Sequence, residues 1–314
     1  MFPLKIYKLD QMAETMWHEN RLHHRAKQEF EFVPTYHSAD ILLGRTFRRV
    51  YDFMHLTDKA FMLYSHEPIL LTSADTEVVA PFGGGTIDVM SVYTGSVYLS
   101  PLHYFPTEIN FRPLNTENRR NRAAIFATFG AKTDYFYNGE NRGLCPAREK
   151  LALYLHQKSF CDIYGRNWPE NKVTGESRRH PGGWRVKKLD ELASYRYCIC
   201  FENLHWKNYV TEKFWDAVQA GCIPIYYSGS NGLNEVIDLS GAILLRDMGS
   251  FQAVYRSIKE MTVSEYEDRI GRLRQQMVNI AAVHDRNLLF DAQYEQFRLR
   301  AQTAVRRVRG KLSK

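Results

Sequence analysis

Long uninterrupted apolar runs are missing from this chain of 314 residues. Its hydrophobic stretches last only a few residues, where a membrane-spanning helix needs about 20, so helical membrane spans are excluded. The opening MFPLKIYKLDQ has neither the apolar core of a secretion signal nor the look of a transit peptide. The expectation is a cytoplasmic chain without a transmembrane anchor, at most peripheral on the inner face of a membrane. No Cys-x-x-Cys pair occurs either. Cys145, Cys161, Cys198, Cys200 and Cys222 are an odd set of irregular spacing, and Cys198-x-Cys200 reads as two opposite faces of one strand. Zinc would need a clustered second pair of ligands that the sequence lacks, so buried free thiols in a reducing compartment are expected. Repeats and low-complexity segments are absent too. A composition of 44% hydrophobic and 25% charged residues is that of an ordinary folded protein.

Acidic residues are missing altogether after Glu295, where Arg298, Arg300, Arg306, Arg307, Arg309, Lys311 and Lys314 are all basic. Those seven equal the whole formal net charge of +7, from 42 Lys+Arg against 35 Asp+Glu, so the rest of the chain is balanced. Phe297, Ala301, Ala304, Val305, Val308 and Leu312 recur at helical spacing, which predicts a basic amphipathic helix over 291–314. Such a helix suits an anionic membrane surface. It equally suits packing back on the first domain with a solvated end, and at this point both stay open. Nucleic acid is not an expected partner, because no stretch of the strand-rich body interleaves basic residues with aromatics on one face.

What is present is an alternation of short apolar strands and longer amphipathic segments, which argues for an α/β fold in two domains. Strands are predicted at 39–44, 59–64 and 87–93, with Gly83-Gly84-Gly85 as a turn. The polar segment from Asn110 to Arg122 is the candidate linker. Beyond it come strands at 123–130, 160–164, 197–201, 223–227 and 242–245. They are separated by helices near 146–156, 189–194 and 211–220, and the rest reads as helix. Strand–helix alternation of this kind is solved by a parallel, doubly wound sheet. The expected architecture is therefore two Rossmann-like domains facing a cleft, 1–118 and 119–290, with a C-terminal helical tail, 291–314.

Open parallel sheets bind ligands beyond the carboxyl ends of their strands. After the strand YCICF come Glu202 and Asn203, then Tyr209-Val210-Thr211-Glu212-Lys213 opening a helix. Thr211 suits the N-cap, and a helix N-terminus offers free N–H groups to an anion. Lys213 would add a full charge there. On spacing alone, Glu212 is also a favourable first-turn acid and Lys213 an ordinary solvated residue. Arg148 opens a helix one strand–helix unit earlier, where it reads equally as a phosphate ligand or as a surface arginine.

The stretch Tyr195 to Tyr227, YRYCICFENLHWKNYVTEKFWDAVQAGCIPIYY, resembles the signature of the α1,3/α1,4-fucosyltransferases: FEN, a short loop, Y-x-T-E-K, a helix, then G-x-x-P. Weaker similarity runs back through Asp162-Ile163-Tyr164-Gly165 and Cys145-Pro146-Ala147-Arg148 to IFATFG, and thins to landmarks in the first 120 residues. The resemblance implies a GT-B fold, GDP-β-L-fucose in the second domain, an acceptor glycan in the first, and transfer with inversion. It places Arg148 and Lys213 on the donor diphosphate, and Glu212 and Asn203 by the ribose and neighbouring groups. Tyr209 would line the donor site, Glu202 would lie near fucose, and Tyr164 and Gly165 would lie beside the nucleoside.

Inverting transfer needs a general base for the acceptor hydroxyl. The resemblance points to a carboxylate of the first domain, and Glu67 in YSHEPILL follows a strand at its carboxyl end; Asp88, Glu77 and His66 are its rivals. No Asp-x-Asp motif occurs, so no metal cofactor is required, although stimulation by a divalent cation is compatible. The segment Ile225-Tyr226-Tyr227-Ser228-Gly229 departs from the tryptophan and glycine that often follow G-x-x-P in the family, which leaves another nucleotide sugar as an alternative donor. A basic membrane- or nucleic-acid-binding protein on a degenerate transferase scaffold is the alternative from another class. The intact Arg148, Glu202, Asn203, Glu212 and Lys213 argue against it.

Overall fold

The alternating pattern folds, in the computed structural model, into two α/β units: Met1–Leu99 with Asp285–Lys314, and Ser100–His284. The structure describes residues 3–9, 29–44, 50, 52–65, 77–79, 86–91, 100–130, 134–137, 139–169, 184–227, 229, 231–245 and 250–312. In the first unit, β1 (Leu4–Lys8), β2 (Phe30–Phe32), β3 (Ile41–Gly44), β4 (Ala60–Ser65), β5 (Glu77–Val79) and β6 (Thr86–Ser91) form one sheet. Its order is β2-β1-β3-β4-β6-β5, parallel except for β5. The three predicted strands of this region are β3, β4 and β6. By contrast β1, β2 and β5 carry too weak a pattern to be read: LKIYK interleaves two lysines, and FEF and EVV are three residues each. The triple glycine lies outside the described residues.

The second unit holds β7 (Arg120–Phe126), the hairpin β8 (Phe136–Tyr137) and β9 (Glu140–Asn141), β10 (Cys161–Tyr164), β11 (Tyr195–Ile199), β12 (Ile223–Tyr227) and β13 (Ile243–Leu245). The five longer strands are all parallel, in the order β10-β7-β11-β12-β13. Helices α1 (Cys145–Gln157), α2 (Trp184–Leu192), α3 (Glu212–Ala220), α4 (Phe251–Glu260) and α5 (Val263–Val283) belong to the same unit. Pro146 sits in the first turn of α1, where its missing N–H has no partner to lose. Gly221 ends α3 at φ +88°, a left-handed conformation that glycine takes without strain. Trp215, Phe214 and Tyr226 fill the core between α3 and the sheet, and all five cysteines are buried free thiols, as expected.

The polar segment 110–122 is not a linker. Arg120 to Arg122 are inside β7, and the residues before them are strapped to the second unit. Arg112 N–H donates to Gln219 O at 2.8 Å, and Arg119 donates to Tyr195 O at 2.8 Å and Ala220 O at 2.7 Å. Polar composition misled here because the Arg119 guanidinium satisfies buried carbonyls, one at the start of β11 and one at the end of α3, instead of meeting water. Phe105, upstream, is part of the second unit's core and packs on Trp215 with ring centroids 5.0 Å apart. The units accordingly divide at 99/100 and 284/285, against the expected 118/119 and 290/291.

The basic tail is the end of a longer helix, α6 (Arg286–Leu312), which packs against β4 and β6 of the first unit. Phe297 and Ala301 are fully buried, Tyr294 and Val305 nearly so, and Phe297 meets Phe30 edge-to-face at 5.3 Å. Of the two readings of this amphipathic helix, packing back is the one its apolar face adopts. The charged face pairs Arg298 with Glu295 on the same helix at 2.7 Å and Arg309 with the distant Asp40 at 3.0 Å. Phe297→Ala is expected to cost the first unit about 3–5 kcal/mol, the usual range for emptying a buried Phe site, measured by denaturant unfolding. If the variant instead kept its stability and lost binding to anionic liposomes, the apolar face would be a membrane anchor. No helix among the described residues is long and apolar enough to cross a membrane.

Candidate functional site

In chain order the second sheet runs 2-1-3-4-5, so the chain leaves β7 and β11, neighbours in the sheet, in opposite directions. Right-handed crossovers then put the following helices on opposite faces and open a crevice at the carboxyl ends of these two strands. The loops that border it are joined. Leu144 N–H donates to Asn203 O at 3.0 Å, His205 N–H donates to Arg142 O at 2.7 Å, and Gly143 bridges Leu204. Trp206 lies buried under the Arg142 guanidinium at 5.2 Å, so the loop 204–208 is packed in place.

Arg148 comes from the first turn of α1, and with 5% exposure it is no surface arginine. Its Nη1 donates to Phe201 O at 2.9 Å and Asn203 Oδ1 at 3.3 Å, and its Nη2 donates to Cys145 Sγ at 3.4 Å. Its Nε has no partner among the described residues. Beside it, Glu149 accepts from Gly130 N–H at 2.9 Å, and burial pushes the Glu149 carboxyl up.

The second cation arrives from the other side of the crevice. Glu202, buried three residues beyond β11, accepts from Thr211 N–H at 2.7 Å and from Thr211 Oγ1 at 2.6 Å. Thr211 holds the N-cap position of α3 as expected, but its hydroxyl serves Glu202 and not the helix. Lys213 Nζ donates to Thr211 Oγ1 at 2.8 Å and lies 3.4 Å from Glu202 and 3.7 Å from Glu212. Burial pushes the Glu202 carboxyl up, against the pull of Lys213. Burial acts the same way on Glu212, but Lys213 and Lys188 outweigh it and bring that carboxyl down to about 2. Lys213 loses by burial and regains more from Glu212 and Glu202, and Arg148 is near enough to repel it. Two cations backed by ordered carboxylates at a helix N-terminus can receive a diphosphate.

The structure thus joins Arg148, Asn203, Glu202, Glu212 and Lys213. Tyr209 joins them through its phenol, which receives Asn203 Nδ2–H at 3.5 Å, although its ring is buried. Tyr164 goes elsewhere: its hydroxyl pairs with Tyr195 at 2.8 Å in a network with Asp162 and Arg120, and its ring stacks on Phe126. Gly165 has a steric reason to be glycine. At φ +139° a Cβ there would lie 1.8 Å from Ala127 O, so Gly165→Ala should destabilise the second unit by roughly 3 kcal/mol, read as a fall in its melting temperature. An unchanged melt would mean that this close approach does not exist. Glu67 and His66 lie outside the described residues. Glu77 and Asp88 are cross-strand partners in β5 and β6.

Sequence reasoning missed Cys145, Glu149, Lys188 and Asp216. Asp216 is the one with a signal, a carboxylate one turn after Glu212 within a helix whose neighbouring positions are apolar. No cluster of metal-ligating side chains stands out among the described residues.

Residues 137–268 match the family model of glycosyltransferase family 10 (fucosyltransferase), C-terminal part. The α-(1,3)-fucosyltransferase fut-5 of Caenorhabditis elegans is 27% identical over 168 residues, 52% of this chain and 40% of that protein. GDP-fucose protein O-fucosyltransferase 3 of Canis lupus familiaris is 23% identical over 122 residues, 38% of this chain and 24% of that protein. The matches therefore span well under half of these relatives' own lengths. A crystal structure of an α1,3-fucosyltransferase superposes with a TM-score of 0.51 at 16% identity, covering 90% of this chain and 91% of that one. That likeness carries the fold, an α/β fold of GT-B type. Residues 137–268, within the second unit, are thus similar to the C-terminal part of the glycosyltransferase family 10 fucosyltransferases.

Proposed function

We propose that this chain transfers L-fucose from GDP-β-L-fucose to a hydroxyl of a glycan, with inversion at the anomeric carbon and in α1,3 linkage. The observation that carries the reading is the convergence of Arg148 and Lys213 on one crevice, inside the segment that matches the fucosyltransferase model. Both cations face the negative charge that grows on the departing GDP, and such fixed charges act where charge develops in the transition state. They do the neutralising that a divalent ion does elsewhere, so no metal is required and activity should survive chelation. Asn203 and Glu212 take the ribose and neighbouring groups, Tyr209 supports Asn203, and Glu202 orders the loop near fucose. Glu67, two residues beyond β4, removes the acceptor proton.

A second reading changes only the acceptor. A relative named for protein O-fucosylation is matched over 122 residues of this chain, and the hydroxyl belongs to a protein in that case. The test is incubation with GDP-fucose and β-galactoside, N-acetylglucosamine and peptide acceptors, read by mass spectrometry. A fucosylated β-galactoside or N-acetylglucosamine product supports the first reading, a fucosylated peptide the second. No product with GDP-fucose, but product with another nucleotide sugar, contradicts both.

A further inference from the structure

The donor cluster is backed by a second layer of charge. Asp216, with no exposed surface, accepts from Lys188 Nζ at 3.0 Å and from Arg185 Nη2 at 2.8 Å. Lys188 itself is 5% exposed and comes from α2, which supplies no residue to the donor cluster. Glu212 and Asp216 stand four residues apart on α3, so they share a helix face. The result is an alternating series: Asp216, Lys188, Glu212, Lys213, Glu202.

An ammonium placed in this series has no need to be there for packing alone. A buried lysine loses its hydration and is kept only where carboxylates surround it. Lys188 has Asp216 at 3.0 Å and Glu212 one helical turn further along the same face of α3, and both raise it against the cost of burial. Lys213 is the competing partner of Glu212, but that separation of 3.7 Å is longer than its 2.8 Å bond to Thr211.

We propose that Lys188 is a positioning residue for the donor site: it shares the charge of Glu212, and so leaves the Lys213 ammonium available to the diphosphate. Without Lys188, Glu212 has Lys213 as its one remaining close cation in this series and draws it away from the ligand. The proposal rests on the donor reading above, so its test must separate the two.

Guanosine and GDP differ only by the diphosphate, and their dissociation constants by titration calorimetry isolate the contribution of its charge. The wild-type chain should bind GDP more tightly than guanosine. Lys188→Met should weaken GDP about tenfold and leave guanosine unchanged, and Lys188→Arg should restore most of the loss. Where Lys188→Met does not fold, Lys188→Met with Asp216→Leu removes both buried charges and should show the same selective loss. Equal losses for guanosine and GDP, or no loss for either, would make Lys188 a purely structural residue and overturn the proposal, while the wild-type preference for GDP leaves the donor reading standing. A wild-type chain with no preference for GDP over guanosine overturns the donor reading and this proposal with it.

Discussion

Arg148→Ala should weaken GDP binding by roughly 10- to 100-fold, the equivalent of about 1.5–3 kcal/mol for a charge-assisted interaction. Two effects combine in that number. The first is loss of a buried positive charge close to Lys213, whose repulsion the ligand's phosphates relieve. The second is loss of the bonds that Arg148 makes to Phe201 O and Asn203 Oδ1, which hold the loop after β11 in place. Arg148→Lys separates them, since lysine keeps the charge but cannot span both acceptors with a planar fork. An intermediate affinity for the lysine variant is expected. A melting temperature measured beside each affinity shows how much of the loss is folding. Unchanged GDP affinity in the alanine variant would remove Arg148 from the donor site.

Glu67→Gln should lower the transfer rate by about 10²- to 10⁴-fold, the usual contribution of a general base, with GDP affinity unaffected. The isosteric amide keeps size and hydrogen bonding but cannot accept the acceptor's proton. Inverting transfer concentrates the chemistry in one step, so no second residue can replace a missing base through a covalent intermediate. Asp88→Asn is the matched control, because Asp88 lies in β6, whose parallel pairing with β4 puts it in the same sheet. If Asp88→Asn or Glu77→Gln abolishes transfer and Glu67→Gln does not, the base is the other carboxylate. A fall in GDP affinity for Glu67→Gln would give this residue a donor role.

The candidate donor cluster was legible because most of its residues are close in sequence. Glu202 to Lys213 is one strand end, one loop and one helix start, and local order brings Thr211 to Glu202 directly. Arg148 was legible as a position but not as a buried group, since nothing in CPAREK tells that its guanidinium reaches the carbonyl of Phe201. Tyr164 shows the opposite limit. Its place at the end of β10 was predicted, yet the partner that directs its phenol away, Tyr195, sits on a strand not adjacent to it in the sheet. Lys188 and Asp216 meet only once α2 packs on α3, which no periodicity encodes. The segment 110–122 failed for a related reason: Arg119 bonds carbonyls far along the chain, and composition cannot distinguish such a strap from a solvated linker. In the tail, amphipathicity was read correctly, and only the sheet beneath α6 decides what its apolar face covers.

We infer a GDP-sugar site held by two cations in the crevice between β7 and β11. Thermal stabilisation of the wild-type chain by GDP, UDP and ADP at equal concentration, repeated with Lys213→Ala, tests it most directly. A clear upward shift with GDP, little or none with UDP and ADP, and loss of the GDP shift in the variant are expected. Equal shifts with all three nucleotides, or a GDP shift that survives in Lys213→Ala, would contradict that inference.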